Sequence, residues 1–180
     1  MKRLALLLTV VLATPIAAQQ AASANPGFAV GAAKDTWQRM TGFITTAAEQ
    51  MPEKDYAFRP THDVRTFGQQ VAHVAGAQRM MCAAALGEKS GGEDEIEKTV
   101  TTKAGLVAAL KSSTQYCERA YAQTDAASVA SASLFGMTMP RLNVLVLNGG
   151  HNAEHYGNIV TYLRIRGMVP PSSQPAPPRT

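Results

Sequence analysis

The chain has 180 residues, 46% of them hydrophobic and 6% aromatic, with 17 basic and 13 acidic side chains and a formal net charge of +4. That length fits one domain with a single sizeable core. The small positive excess, with no cluster of Lys and Arg, gives no support to nucleic-acid binding.

Lys2 and Arg3 precede the apolar run Leu4 to Ala13, and small residues follow through Ala24. A basic start, an apolar stretch and a small-residue zone predict a secretory signal peptide over residues 1–24. The run falls short of the roughly 20 residues a membrane span needs. Cleavage fits after Ala18 or after Ala24. The expectation is an exported chain, periplasmic or secreted, without membrane association after cleavage. Loss of Lys2 and Arg3 would lower the charge to +2. The domain would then occupy residues 25–171, followed by a Pro-rich tail, 172–180, expected to be disordered.

From Pro26 to about Met51 the apolar residues Trp37, Met40, Ile44, Ala47 and Met51 recur at steps of three and four, a helical stripe that Pro52 closes. Pro52 to Arg65 reads as a structured loop. A second helix opens at Thr66, where Thr66 and Gln69 make a capping box, and stops at Gly87. Its stripe is Phe67, Val71, Val74, Met81 and Ala85, and His73 lies on the flank of that stripe with Ala77, Met80 and Ala84. The charged stretch Glu88 to Lys98, punctuated by Gly91 and Gly92, reads as a solvated connection. It is long enough for a crossover between the second and third helices. A third helix runs from about Thr102 to Ala122, with Leu106, Leu110, Cys117, Ala120 and Tyr121 inward. Asp125 to Met139 reads as a loop, and no strand pattern is visible.

Pro140 suits the first turn of a fourth helix, and Gly167 suits the left-handed stop after Arg166. Within that helix Val144, Asn148, His151, His155, Asn158 and Tyr162 share a narrow band. Gly149 and Gly150 should each cost about 1 kcal/mol relative to Ala. The pattern as a whole predicts an all-α four-helix bundle.

His151 and His155 stand four apart, so their imidazoles leave one helix face and can converge on a small target. Neutral imidazole is a good ligand for zinc, nickel and iron. With His73 from the second helix they would supply three nitrogens, and three protein ligands with one open position is the pattern of a catalytic zinc site. His62, in the Pro-flanked loop, reads as surface. Asn148, Asn158 and Tyr162 are candidate neighbours of the metal.

His73, the His151-x-x-x-His155 pair and the ending Tyr162-x-Arg164-x-x-Gly167 together resemble the DinB-like proteins, metal-binding bundles that include thiol-dependent S-transferases. The loop Met51 to Tyr56, Arg59-Pro60 and the closing Val169-Pro170-Pro171 are similar to exported members. The resemblance covers roughly Pro26 to Ser172. It implies a four-helix bundle with a long crossover between helices two and three. It also implies a divalent metal, zinc or nickel, on His73, His151 and His155 at one end of the bundle, and a homodimer. The expected function is a metal-dependent hydrolase or thiol transferase acting on a small molecule. The alternative is a non-catalytic metal- or ligand-binding bundle. Family thiols such as mycothiol or bacillithiol are cytosolic, and an exported chain would not meet them readily.

His151-x-x-Glu154-His155 also matches an inverted zinc-peptidase motif. That motif needs a glutamate well downstream, and no Asp or Glu follows His155. Glu154 reads as exposed, with a hydrogen-bond acceptor behind a metal ligand as the other reading. Finally, an exported chain with two cysteines predicts a Cys82–Cys117 disulfide. A simple antiparallel hairpin would set the two roughly 15 Å out of register; a crossover relaxes that objection, and two buried free thiols packing as small apolar groups are the alternative.

Overall fold

The computed structural model describes residues 27–175, so the expected signal peptide and residues 176–180 lie outside the described residues. The elements are α1 (Phe28–Gln50), a 3-10 turn (Glu53–Asp55), α2 (Phe67–Leu86), α3 (Glu95–Thr99), α4 (Lys103–Ala120), α5 (Asp125–Ser128), β1 (Ser131–Leu134), β2 (Met137–Pro140), α6 (Arg141–Ile165) and a second 3-10 turn (Pro171–Ser173). The four long helices are α1, α2, α4 and α6, the four that the apolar stripes predict. No helix among the described residues is long and apolar enough to cross a membrane.

Local chemistry sets the helix ends. The capping box at the start of α2 is present, with Thr66 accepting from the Gln69 N–H and the Gln69 side chain accepting from the Thr66 N–H. Gly87 ends α2 in the left-handed region that a residue without Cβ reaches at no steric cost. The Asp125 carboxylate accepts from the N–H groups of Ala29 (3.1 Å) and Val30 (2.9 Å), capping α1 from across the bundle. Those backbone bonds hold its carboxyl below the usual range.

Side-chain pairings give the helix directions. Gly68 meets Leu106, Gln78 meets Ser113 and Cys82 meets Cys117, so α2 and α4 run parallel. Trp37 lies beside Gly149, Thr41 bonds Asn152 and Phe43 stacks on Tyr156, so α1 and α6 are parallel too. Helix α6 opposes α2, pairing Asn148 with Cys82 and His155 with Gln70. Helix α4 opposes α1, pairing Glu118 with Lys34 and Lys111 with Glu49. Two parallel neighbours cannot be joined by a tight turn. The chain from Gly87 to Thr102 therefore returns along α2, whose twenty residues span about 30 Å. This strap is the crossover that the resemblance implies.

The strap is pressed close. A Cβ built at Gly76 would lie 1.9 Å from the Glu93 carbonyl oxygen, so only glycine admits the strap there. The parallel arrangement also brings together the two cysteines. Each sits near the C-terminal end of its helix, and they are bonded with Cα atoms 5.3 Å apart. The mismatch in register belongs to a hairpin that the chain does not make.

The core divides into two apolar groups. One surrounds Ile44, Met51, Phe67, Leu110, Ile159 and Leu163; the other surrounds Trp37, Met81, Tyr121, Val144 and Leu145. Between them lie buried Thr41, Gln78, Ser113 and Asn152. Gln78 is the hub. Its carbonyl accepts from the Trp37 indole (3.2 Å) and from Asn152 (3.4 Å), and its amide donates to Ser113 (2.6 Å). Asn152 also donates to Thr41 (3.2 Å). One layer of side chains thus ties all four helices.

The expected loop before α6 needs correction. Residues 131–140 form a two-stranded antiparallel hairpin, with Ser131 opposite Pro140 and Leu134 opposite Met137. Its two-residue turn, Phe135-Gly136, has positive φ at both positions, which matches the twist of the flanking strands. Pro140 accordingly closes β2 and caps α6, whose first helical residue is Arg141. After α6 the chain folds back on the bundle. The Ser172 N–H donates to the Tyr156 hydroxyl (2.9 Å) and Gln174 donates to Gln50 (3.0 Å).

Candidate metal centre

His73 occupies the second turn of α2, while His151 and His155 stand one turn apart on the middle of α6. Because α2 and α6 are antiparallel neighbours, the three rings meet in the seam between them. His73 and His155 are buried and His151 is half-buried. The Nε2 atom of His151 lies 3.2 Å from Nε2 of His73 and 3.1 Å from Nε2 of His155. The structure therefore brings together all three histidines that the sequence singles out, as a group that could hold a metal ion.

The opposite ring nitrogens decide what the group can do. His155 Nδ1 is 2.8 Å from Gln70 Oε1, and His73 Nδ1 is 3.3 Å from Asp94 Oδ1. A carboxylate and an amide oxygen accept only, so both rings carry their proton on Nδ1. Both then present an Nε2 lone pair to the centre. His151 Nε2 can donate one proton to one of them, which leaves the other Nε2 lone pair without a donor. A divalent cation resolves this by accepting all three. Two nitrogens about 2.0–2.1 Å from a tetrahedral zinc lie roughly 3.3 Å apart, close to the spacings found here. The donor set fits such an ion.

Burial keeps His151 and His155 neutral, as ligands must be. It pushes His151 down to about 4, with the adjacent His73 adding to the effect. Burial likewise pushes His155 down to about 3, with His151, His73 and Arg65 adding to it.

A charged chain continues outward from His73. Arg65 donates to Asp94 (3.4 Å) and to Glu97 (3.1 Å), and the Tyr162 hydroxyl donates to the Arg65 carbonyl. His73, Asp94 and Glu97 form a second cluster of donor atoms, but the Arg65 guanidinium already supplies its positive charge.

Several sequence expectations change. Asn148 is buried, but it donates to the Tyr121 hydroxyl (3.1 Å) and contacts the Cys82 sulfur instead of the histidines. Asn158 is exposed, and Tyr162 is spent on Arg65. Glu154 is exposed, as expected, and stands outside the histidine group. His62 is on the surface beside Asp63. Sequence reading missed Gln70 and Asp94. Gln70 lies one turn before His73 on the same helix face and was recoverable from that spacing. Asp94 was not, since it sits in the stretch read as a solvated connection.

A family model described as the DinB superfamily matches residues 32–159. A solved DinB-like protein from Bacillus cereus is similar to the chain with a TM-score of 0.66 at 17% identity, covering 78% of this chain and 95% of that one. A DinB-like protein from Bacillus subtilis gives a TM-score of 0.62 at 17% identity, covering 77% and 93%. The mycothiol-dependent maleylpyruvate isomerase gives 0.58 at 16% identity, covering 84% and 81%. No curated protein matches the chain.

Proposed function

The chain belongs to the DinB superfamily, and from that premise we propose that it is an exported protein holding one divalent metal on His73, His151 and His155. The metal serves a small-molecule reaction, a hydrolysis or a thiol transfer. The observation that carries this reading is the convergence of three Nε2 atoms while Gln70 and Asp94 engage the back nitrogens of two rings. Three neutral imidazoles suit zinc best, with nickel and iron as other takers. When bound, such an ion supplies a Lewis acid for a carbonyl or a position for a thiolate. The protein's part is to fix the three rings, hold His151 and His155 neutral by burial, and keep the Nδ1 protons of His73 and His155 in place.

The thiol arm of the proposal draws on the fold shared with a mycothiol-dependent isomerase. Mycothiol itself is not carried over, because an exported chain meets other thiols. Export is supported by the basic-apolar-small pattern of residues 1–24 and by the Cys82–Cys117 bond, which belongs in an oxidising compartment. A homodimer rests on the family resemblance alone; light scattering at micromolar concentration tests it.

Metal analysis of protein purified without a His-tag tests the centre, with one equivalent of zinc or nickel expected. A chain that takes up no divalent metal on dialysis overturns the reading. Cobalt-loaded protein then separates the arms. A thiolate-to-cobalt absorption band on adding cysteine or glutathione favours a thiol substrate. Turnover of small esters or amides favours hydrolysis. A loaded protein silent in both assays is the non-catalytic binding bundle.

A further inference from the structure

The strap that returns along α2 carries three acidic residues in a row, Glu93, Asp94 and Glu95. It reads from sequence as solvated filler. The structure treats it otherwise. Glu93 presses its carbonyl oxygen onto the bare Cα of Gly76, one turn beyond His73 on α2. Arg65, just before α2 begins, draws in both Asp94 and Glu97, and Glu97 is largely covered as a result. Between these two anchors, Asp94 reaches the back nitrogen of His73.

The geometry points to Asp94 as a positioning residue for His73, delivered by the strap, in a carboxylate–histidine–metal relay. This rests on the metal reading above and deepens it. An Nδ1–H held by a carboxylate fixes the tautomer and the ring plane, and raises the basicity of Nε2 toward a cation. His155 receives the same service from Gln70, a residue of α2 itself. His73 is the ligand whose support comes from outside the helix pair that bears the ligands. Its alignment therefore depends on the strap lying flat, which depends on Gly76.

The test uses the full mature chain with its disulfide intact, and reads zinc affinity by competition with a chromophoric chelator. Thermal melts monitor folding throughout. Asp94→Ala is expected to weaken zinc binding about 10- to 100-fold. Asp94→Asn keeps an oxygen that accepts from Nδ1–H and is expected to recover most of that loss. Glu95→Ala removes the same charge from an exposed neighbouring position and should leave affinity unchanged. Gly76→Ala touches no ligand, but its Cβ must displace Glu93; it should weaken zinc as Asp94→Ala does, and the double variant should be no worse than either single. Wild-type affinity in Asp94→Ala overturns the inference while leaving the metal centre standing, as does an Asp94→Asn variant no better than Asp94→Ala. Wild-type protein that binds no metal overturns the metal reading itself.

Discussion

Two buried polar clusters lie within two turns of each other on α2 and α6, and they are built on opposite plans. Around Gln78 every N–H donor finds an acceptor within the protein. The Trp37 indole, the Gln78 amide, the Asn152 amide and the Thr41 and Ser113 hydroxyls are all placed. The fixed donor of Trp37 sets which end of Gln78 is the oxygen, and this in turn orients Asn152. Around His151 the satisfied atoms are at the back of two rings, and three like atoms face one another at the front. Polar burial alone thus says little about function. The informative sign is a convergence of acceptors that the protein leaves unresolved.

The largest expected effect breaks this contrast at its functional side. His151→Ala removes the nitrogen shared by both close contacts and should abolish stoichiometric metal while the chain stays folded; elemental analysis of the untagged variant reads it. Full metal retention would show that the centre is not the one described.

Gln78→Ala attacks the other cluster. It strands the Trp37 indole and one of the two N–H groups of the Asn152 amide in a dry layer, and each stranded donor costs roughly 1–3 kcal/mol. A total loss of about 3 kcal/mol in denaturant unfolding is expected, with metal stoichiometry intact. Loss of metal at a temperature where the variant is folded would mean that the two clusters are one unit.

Acid should act on only one cluster. The ordinary pKa of an unfolded histidine is about 6.5, whereas His151 in the fold is held down to about 4 and His155 to about 3. Between those values the unfolded chain binds more protons than the folded one. Metal-free protein should therefore lose stability as pH falls from about 6.5 toward about 4, and hold a plateau above that window. His151 retains solvent contact, so its share is on the order of 1–2 kcal/mol after discount. The Gln78 layer contains nothing that titrates there. Melting curves should show the same slope in Gln78→Ala and a flatter one in His151→Gln.

The smallest effect lies beside both clusters. Gly150 is exposed on α6, and a Cβ there would meet nothing within 4 Å. Gly150→Ala should stabilise the chain by about 1 kcal/mol from helix propensity alone, visible as a small rise in Tm. A loss of stability would show that α6 needs freedom at this point.

Much of this was legible beforehand because helices advertise themselves. The three-four stripes, the Thr66–Gln69 box and Gly87 place α2 to within a residue. His73 with the His151/His155 pair needs only a helical wheel and one pairing of helices. The hairpin escaped because its strands, Ser-Ala-Ser-Leu and Met-Thr-Met-Pro, hold few strong strand formers, and its turn opens on Phe135 where Asn or Asp would have signalled. The Gln78 layer escaped because Thr41, Gln78 and Asn152 belong to three different helices and acquire meaning only in register. Asp94 depends on tertiary structure altogether. Its meeting with His73 requires α2 and α4 to be parallel.

The Cys82–Cys117 bond has a consequence for the strap. The two cysteines lie on either side of it in sequence, 35 residues apart, so the disulfide closes a covalent ring that contains Gly87 to Thr102 entire. A strap that lifts from Gly76 is tethered at both ends to helices stapled together, and Asp94 stays on a short leash. Its effective concentration at His73 is then set by ring geometry, in the millimolar range typical of short flexible tethers. Opening of the strap becomes a brief local excursion with a high return probability.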